Sequence, residues 1–321
     1  MSNDRLLQNV VSILIMAGYN VSERCEIRPR SFDLMTSDGK HLLVIKVVSQ
    51  IDSVNEDIAW DLDKIARHLG AVPLIIGERA RDAPLERGAI YLRYGINAVS
   101  SATLYDYLAE GELPLVYASP GGLYVNIDAD RLRELREEHS MSLGDLAHAL
   151  GVSRRTISKY EGGMGTTLDV AMRLEELFND DIVMPIDLLS YTPAAEERAP
   201  ASLPSGNSTD ADPHQLPADR LRSIGISVQE LRRAPFHAFA VYEDETILTC
   251  YGTAQKTVRR AELVGNISQI SGTHSLCVVS DYRKEKKIGK TLVIGEERLK
   301  HVSDGSDLLE MVTEKSFFLF L

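Results

Sequence analysis

DLAHALGVSRRTISKYEGG, residues 145–163, places two arginines and a lysine in one short helical pattern. The 321-residue chain around it carries a formal net charge of −12. Screening over about 8–10 Å lets a small cationic face act independently of distant acidic surface, so the average charge leaves a local anion-seeking element open. The stretch divides at Gly151. Ser142 stands where an N-cap belongs, ahead of LGDLAHAL. Ala147 is small enough for a close helix approach, Gly151 permits a left-handed turn, Val152 plugs that turn, and Ser153 caps a second helix with Ile157 inward. A preceding helix over 129–138 turns Leu132 and Leu135 inward. A following one, LDVAMRLEELF after the cap Thr167, packs Val170, Leu174 and Leu177 back.

Two helices joined by a short glycine turn, inside a four- to five-helix unit, form a helix-turn-helix. In that arrangement the second helix enters the DNA major groove, N-terminal residues first. Arginine pairs bidentately with guanine, and serine and threonine are short donors to bases or phosphates. The candidate DNA-binding residues are Ser142, Ser153, Arg154, Arg155, Thr156, Ser158 and Lys159. Segment 129–180 holds seven Lys and Arg against ten Asp and Glu, whereas 153–162 holds three basic residues and one acid, Glu161. Positive charge therefore belongs to the recognition helix alone. The stretch LRELREEHSMSLGDLAHALGVSRRTISKYEGG, with its A-x-x-x-G-V-S-x-x-x-I-S spacing, resembles the Cro and lambda-repressor family of DNA-binding domains.

Residues 191–219 hold five of the twelve prolines among Ala, Ser, Asp and Glu, and almost no large apolar residues. Such a segment cannot bury enough to offset its ordering entropy. With a softer break at SPGG, 119–122, this divides the chain into modules 1–118, 123–190 and 217–321, joined by a flexible linker over 191–216. No apolar run reaches the roughly 18–20 residues of a membrane span. The start, MSNDRLLQNVVSILIMAG, reads as an amphipathic helix rather than a signal peptide. Cys25, Cys250 and Cys277 are odd in number and far apart, which argues against a disulfide framework or a metal clamp and for a reducing cytoplasm.

The first module reads αβββαβ: a stripe of Leu6, Leu7, Val10, Val11, Ile13 and Leu14, a first strand within 20–27, a hairpin in SFDLMTSDGKHLLVIKVV, a helical face of Val54, Ile58, Leu62, Ile65 and Leu69, and a strand at 72–76. Asp33 in SFDLM and Lys46 in LLVIKVV resemble the PD-(D/E)xK signature of the restriction-endonuclease-like fold. That chemistry needs two acids on a divalent cation and a lysine at the phosphate. Here Val44 occupies the second acid position and Phe32 that of the proline. Valine cannot ligate a hard cation; Glu23 or Glu26 are the remaining substitutes. The module is read as non-catalytic, with no metal ligands.

The third module is α/β, with paired strands in FHAFAVYED and TILTCYG, a helix in VRRAELVGNISQIS, strands in SLCVVSDY and KTLVIG, and a last helix near 306–314. KKIGKT, 286–291, fails as a phosphate loop because Lys284 stands where glycine is required. His237, His274 and His301 lack metal-ligand spacing. The whole layout resembles a family of archaeal helix-turn-helix transcriptional regulators with a degenerate nuclease-like N-terminal domain. That resemblance implies a cytoplasmic, sequence-specific regulator without catalytic activity or cofactor, bound to double-stranded DNA. One such motif reads few base pairs, so a homodimer is expected, with Met184, Ile186, Leu188 and Leu189 as its apolar contact candidates. The competing readings are a metal-dependent nuclease built on Asp33 and Lys46, and an assembly adaptor.

Overall fold

The computed structural model describes residues 3–81, 83–192, 215–280 and 282–314. The stretch read as a linker lies outside the described residues over 193–214. Contacts group the chain into two compact units: Met1–Ala17, Val48–Ser53 and Leu74–Thr192 in one, Gly18–Val47, Val54–Pro73 and Pro193–Leu321 in the other.

The first unit holds helix Asn3–Met16, a mixed sheet and the helix-turn-helix. Leu6, Leu7, Val10, Ile13 and Leu14 form the buried stripe of the N-terminal helix. The sheet runs Val72–Gly77, Ile96–Ser100, Ala89–Arg93, Val116–Ser119, Gly122–Ile127 and Thr166–Thr167, with Val183–Met184 also on Gly122–Ile127. The SPGG cluster is a turn, but a hairpin turn between two paired strands rather than a break in the chain's packing. Gly121 and Gly122 take φ of +104° and +145° there, conformations that L side chains rarely adopt.

Four helices follow within residues 123–190: Ala129–Glu138, Leu143–Leu150, Arg154–Tyr160 and Leu168–Phe178. Leu132, Leu135, Leu146, Ile157, Leu174 and Phe178 share one core. Leu177 does not join it. It is 41% exposed, because Ala171, Leu174 and Phe178 take the inward face at helical spacing. Leu188, expected at a dimer contact, is instead fully buried in this unit, and its carbonyl accepts a bond from Asn97 Nδ2 at 3.3 Å. Met184 is exposed; Ile186 and Leu189 are half-buried.

The second unit holds an antiparallel trio, Asn20–Val21, Leu34–Ser37 and Leu42–Val47, with helix Glu56–Leu69. The first strand is only two residues of the expected 20–27. A six-stranded sheet follows, in the order Ser227–Glu230, Ala238–Tyr242, Glu245–Gly252, His274–Val279, Thr291–Gly295 and Lys286–Ile288. Its three central strands are parallel; helix Ala254–Ser271 makes the crossover that parallel pairing requires. Helix Gln215–Ser223 begins inside the stretch assigned to the linker. Lys286–Ile288 and Thr291–Gly295 form a hairpin, so KKIGKT leads into a strand rather than a phosphate-binding helix.

Two long-range bonds join the segment between the first two strands of the trio to this layer: Ser31 N donates to Arg233 O at 2.7 Å, and Glu23 N to Asn266 Oδ1, on helix Ala254–Ser271, at 2.7 Å. The cysteines overturn the expectation of no disulfide. Cys250 and Cys277 are register partners on neighbouring parallel strands, with Cα atoms 4.6 Å apart, and are joined as a disulfide. Residues 27 apart meet because the crossover helix brings their strands side by side. Cys25 is free and buried.

Asp61 on helix Glu56–Leu69 is 1% exposed; its Oδ2 has no hydrogen-bond partner among the described residues and lies 3.8 Å from Arg233 Nη1. Burial pushes its carboxyl up to about 6 against the pull of Arg233, Lys64 and Arg232, with Asp57 adding to the rise. A raised carboxyl makes the folded state hold more protons than the unfolded one between about pH 4 and 6, so stability falls as pH rises through that window. Asp61→Asn should remove the fall and stabilise the protein at pH 7.5 by about 1–3 kcal/mol, with little effect at pH 4. Urea unfolding at the two pH values checks this; a destabilised variant at pH 7.5 would refute it.

Candidate nucleic-acid interface

The second helix of the motif, Arg154–Tyr160, is short and is held at both ends. Ser153 Oγ accepts from Thr156 N at 3.1 Å and lies 2.9 Å from Thr156 Oγ1. Gly151, at φ +69°, turns the chain between the two helices, and its N–H bonds the end of the first. Ile157 and Tyr160 are the inward anchors. On the other side Ser153, Arg154, Arg155, Ser158 and Lys159 are exposed, and Thr156 is half-buried. The helix thus keeps an open basic flank along its length.

Ser142 belongs to the helix before it. Its hydroxyl accepts from Asp145 N at 3.2 Å while Asp145 Oδ2 accepts from Ser142 N at 2.9 Å, a reciprocal cap. Ser142's bonds hold the Asp145 carboxyl below the usual carboxylate range, and the charge of Arg154 adds to this.

The C-terminal end of helix Arg154–Tyr160 is fixed by Glu161, which is 8% exposed. Arg136 reaches it from helix Ala129–Glu138 with Nε–Oε1 at 2.6 Å and Nη2–Oε2 at 3.2 Å, and spends its third nitrogen on Met141 O at 3.1 Å. Arg133 Nη2 donates to Glu161 O at 2.8 Å. Just beyond, Gly165 has no room for a side chain: a methyl group there would lie 2.8 Å from Val125 O and closer still to the Tyr117 hydroxyl. The loop leaving helix Arg154–Tyr160 is therefore pressed onto the hairpin beneath it.

In the second unit, Asp33 and Lys46 do come together. Asp33 Oδ2 lies 3.3 Å from Lys46 Nζ and accepts Val47 N at 2.9 Å, and Oδ1 lies 2.7 Å from Arg30 Nε. Burial lowers the Lys46 ammonium from its usual value against the opposing pull of Asp33. Val44 is fully buried.

The PD-(D/E)XK superfamily domain model matches residues 3–114, and a helix-turn-helix model matches residues 132–180. Over 98% of the chain and the whole of the relative, a protein of Methanocorpusculum labreanum is 86% identical; it bears the name "Putative HTH-type transcriptional regulatory protein". Proteins of the same name from Methanoculleus marisnigri and Methanosarcina mazei are 58% and 38% identical, each over 98% of this chain and at least 98% of their own. The chain belongs to this archaeal family of HTH-type transcriptional regulators. No solved structure matches it.

The nuclease-like domain of this regulator would need a divalent cation for cleavage, and the residues do not fit one. Both oxygens of Asp33 are committed to cations or a backbone N–H, and the second acid is a buried valine. Among the described residues no group of three His, Cys, Asp or Glu could hold a metal. No helix of the described residues is long and apolar enough to cross a membrane. Sequence reading missed Arg30 as the second cation on Asp33 and Arg136 as the partner of Glu161. Arg30 stands only three residues before Asp33, a local spacing that could have pointed to the first pair; for the second, 25 residues apart, an acid at the end of a basic helix was the signal.

Proposed function

We propose that the regulator reads double-stranded DNA sequence-specifically by laying helix Arg154–Tyr160 in the major groove. The observation that carries this reading is the open flank of Ser153, Arg154, Arg155, Ser158 and Lys159 on a helix anchored at both ends. Ser142 faces solvent at the start of the preceding helix, the element that crosses the DNA backbone in such motifs; Ser142 and Thr156 complete the contact set. Exposed acidic groups elsewhere disfavour other docking poses by repelling phosphate. A homodimer supplies two half-sites about 34–36 Å apart. Modules 1–118 and 217–321 then serve regulation rather than cleavage, in the cytoplasm.

A duplex selected from genomic fragments tests this. Arg155→Ala should cost about 1–3 kcal/mol on that duplex and relax preference at one base pair. Wild-type binding should weaken steeply with salt. Unchanged affinity and preference in Arg155→Ala would remove the recognition-helix assignment.

A further inference from the structure

Gly144 sits in the first turn of helix Leu143–Leu150, where glycine is a poorer choice than alanine by up to about 1 kcal/mol. Its backbone does not require glycine: its φ lies outside the left-handed region. What requires it is Arg154. A methyl group on Gly144 would lie 2.8 Å from Arg154 Nε, 2.8 Å from Nη2 and 3.0 Å from Cζ. The guanidinium therefore rests across the bare backbone of Gly144. Among the described residues no hydrogen bond or ion pair to the Arg154 guanidinium is made; it packs on Gly144 near the charge of Asp145. Arg154 starts on the recognition helix but its charged end lies on the preceding helix. Arg155, its neighbour, is exposed.

We propose that Gly144 is a positioning residue for DNA recognition: its missing side chain parks Arg154 on the backbone-crossing helix, so that Arg154 contacts a phosphate and leaves base reading to Arg155. This rests on the groove-reading role of helix Arg154–Tyr160. A phosphate contact fixes register without carrying sequence information. It also contributes about one unit to the salt dependence of binding. A guanidinium already parked in place loses less entropy on binding than a freely rotating one.

The clash at Gly144 is with the far end of a flexible side chain, so Gly144→Ala keeps the fold and displaces only the guanidinium. Full-length wild type, Gly144→Ala, Arg154→Ala and the double variant are compared on the selected duplex and on a scrambled duplex of the same length, across salt. Gly144→Ala should melt no lower than wild type. It should weaken binding to both duplexes by a similar factor and flatten the salt slope by up to about 1, the full loss expected of Arg154→Ala. In the double variant the Gly144 change should add nothing to Arg154→Ala. The inference is overturned if Gly144→Ala binds with wild-type affinity and slope, or if Arg154→Ala loses affinity for the selected duplex alone. Arg155→Ala serves as the control. If it too leaves binding untouched, groove reading by this helix fails, which a failure confined to Gly144 would not show.

Discussion

Glu161→Ala should destabilise the helix-turn-helix by about 3–5 kcal/mol, the range for breaking a buried ion pair from one side. Arg136 would be left beneath the surface with its charge uncompensated, since Glu161 takes two of its nitrogens. Among the described residues, Met141 O and the exposed Glu137 would remain to it. The loss falls on the recognition helix, because Glu161 is the residue that ends it. Hydrogen exchange over 154–161 should accelerate along with a fall in the unfolding midpoint. Replacing both partners by methionine should recover much of the loss, because a well-packed apolar pair avoids the cost of desolvating two charges. A single variant within about 1 kcal/mol of wild type would show that the pair does not hold the helix.

Asp33→Ala should be comparably costly, about 3–5 kcal/mol. It removes the one carboxylate between Arg30 and Lys46 and strips Val47 N of its acceptor. Two cations would then share a buried site. Lys46, already lowered by burial, can escape by releasing its proton. The deficit should therefore narrow at alkaline pH, where the unfolded chain still binds the proton that the folded variant has shed. Urea unfolding at neutral and alkaline pH measures both effects. A wild-type-like midpoint would mean that Asp33 is not the keystone of this site. Plasmid incubated with Mg²⁺ or Mn²⁺ should stay intact with wild type. Cutting that vanishes in Asp33→Ala would make the domain an enzyme.

These two sites also mark where sequence reading worked and where it stopped. The helix-turn-helix was legible because its signals are local: Ser142 and Ser153 as caps, Gly151 as the left-handed turn, Leu132 and Leu135 at helical spacing, and Ile157 inward. The hairpin around Asp38-Gly39 and the helical face at Leu62 and Ile65 were legible for the same reason. Short strands such as Ala89–Arg93 and Ile96–Ser100 carry too few residues to show a period, and were not read. Leu177 and Leu188 had the right chemistry for their assigned places; burial went the other way because neighbouring residues filled or covered those positions.

The sequence by itself determined that a basic helix, capped and turned by nearby residues, stands in an acidic chain, since caps, turns and periodicity act within a few residues of one another. Only the tertiary structure decided that Arg136 holds Glu161 from 25 residues away, that Asp33 meets Lys46, that Cys250 meets Cys277, and that Arg154 lies over Gly144. Those pairings arise when separate elements close onto each other, and a linear chain carries no periodic mark of which of its many charges and gaps will face one another once folded.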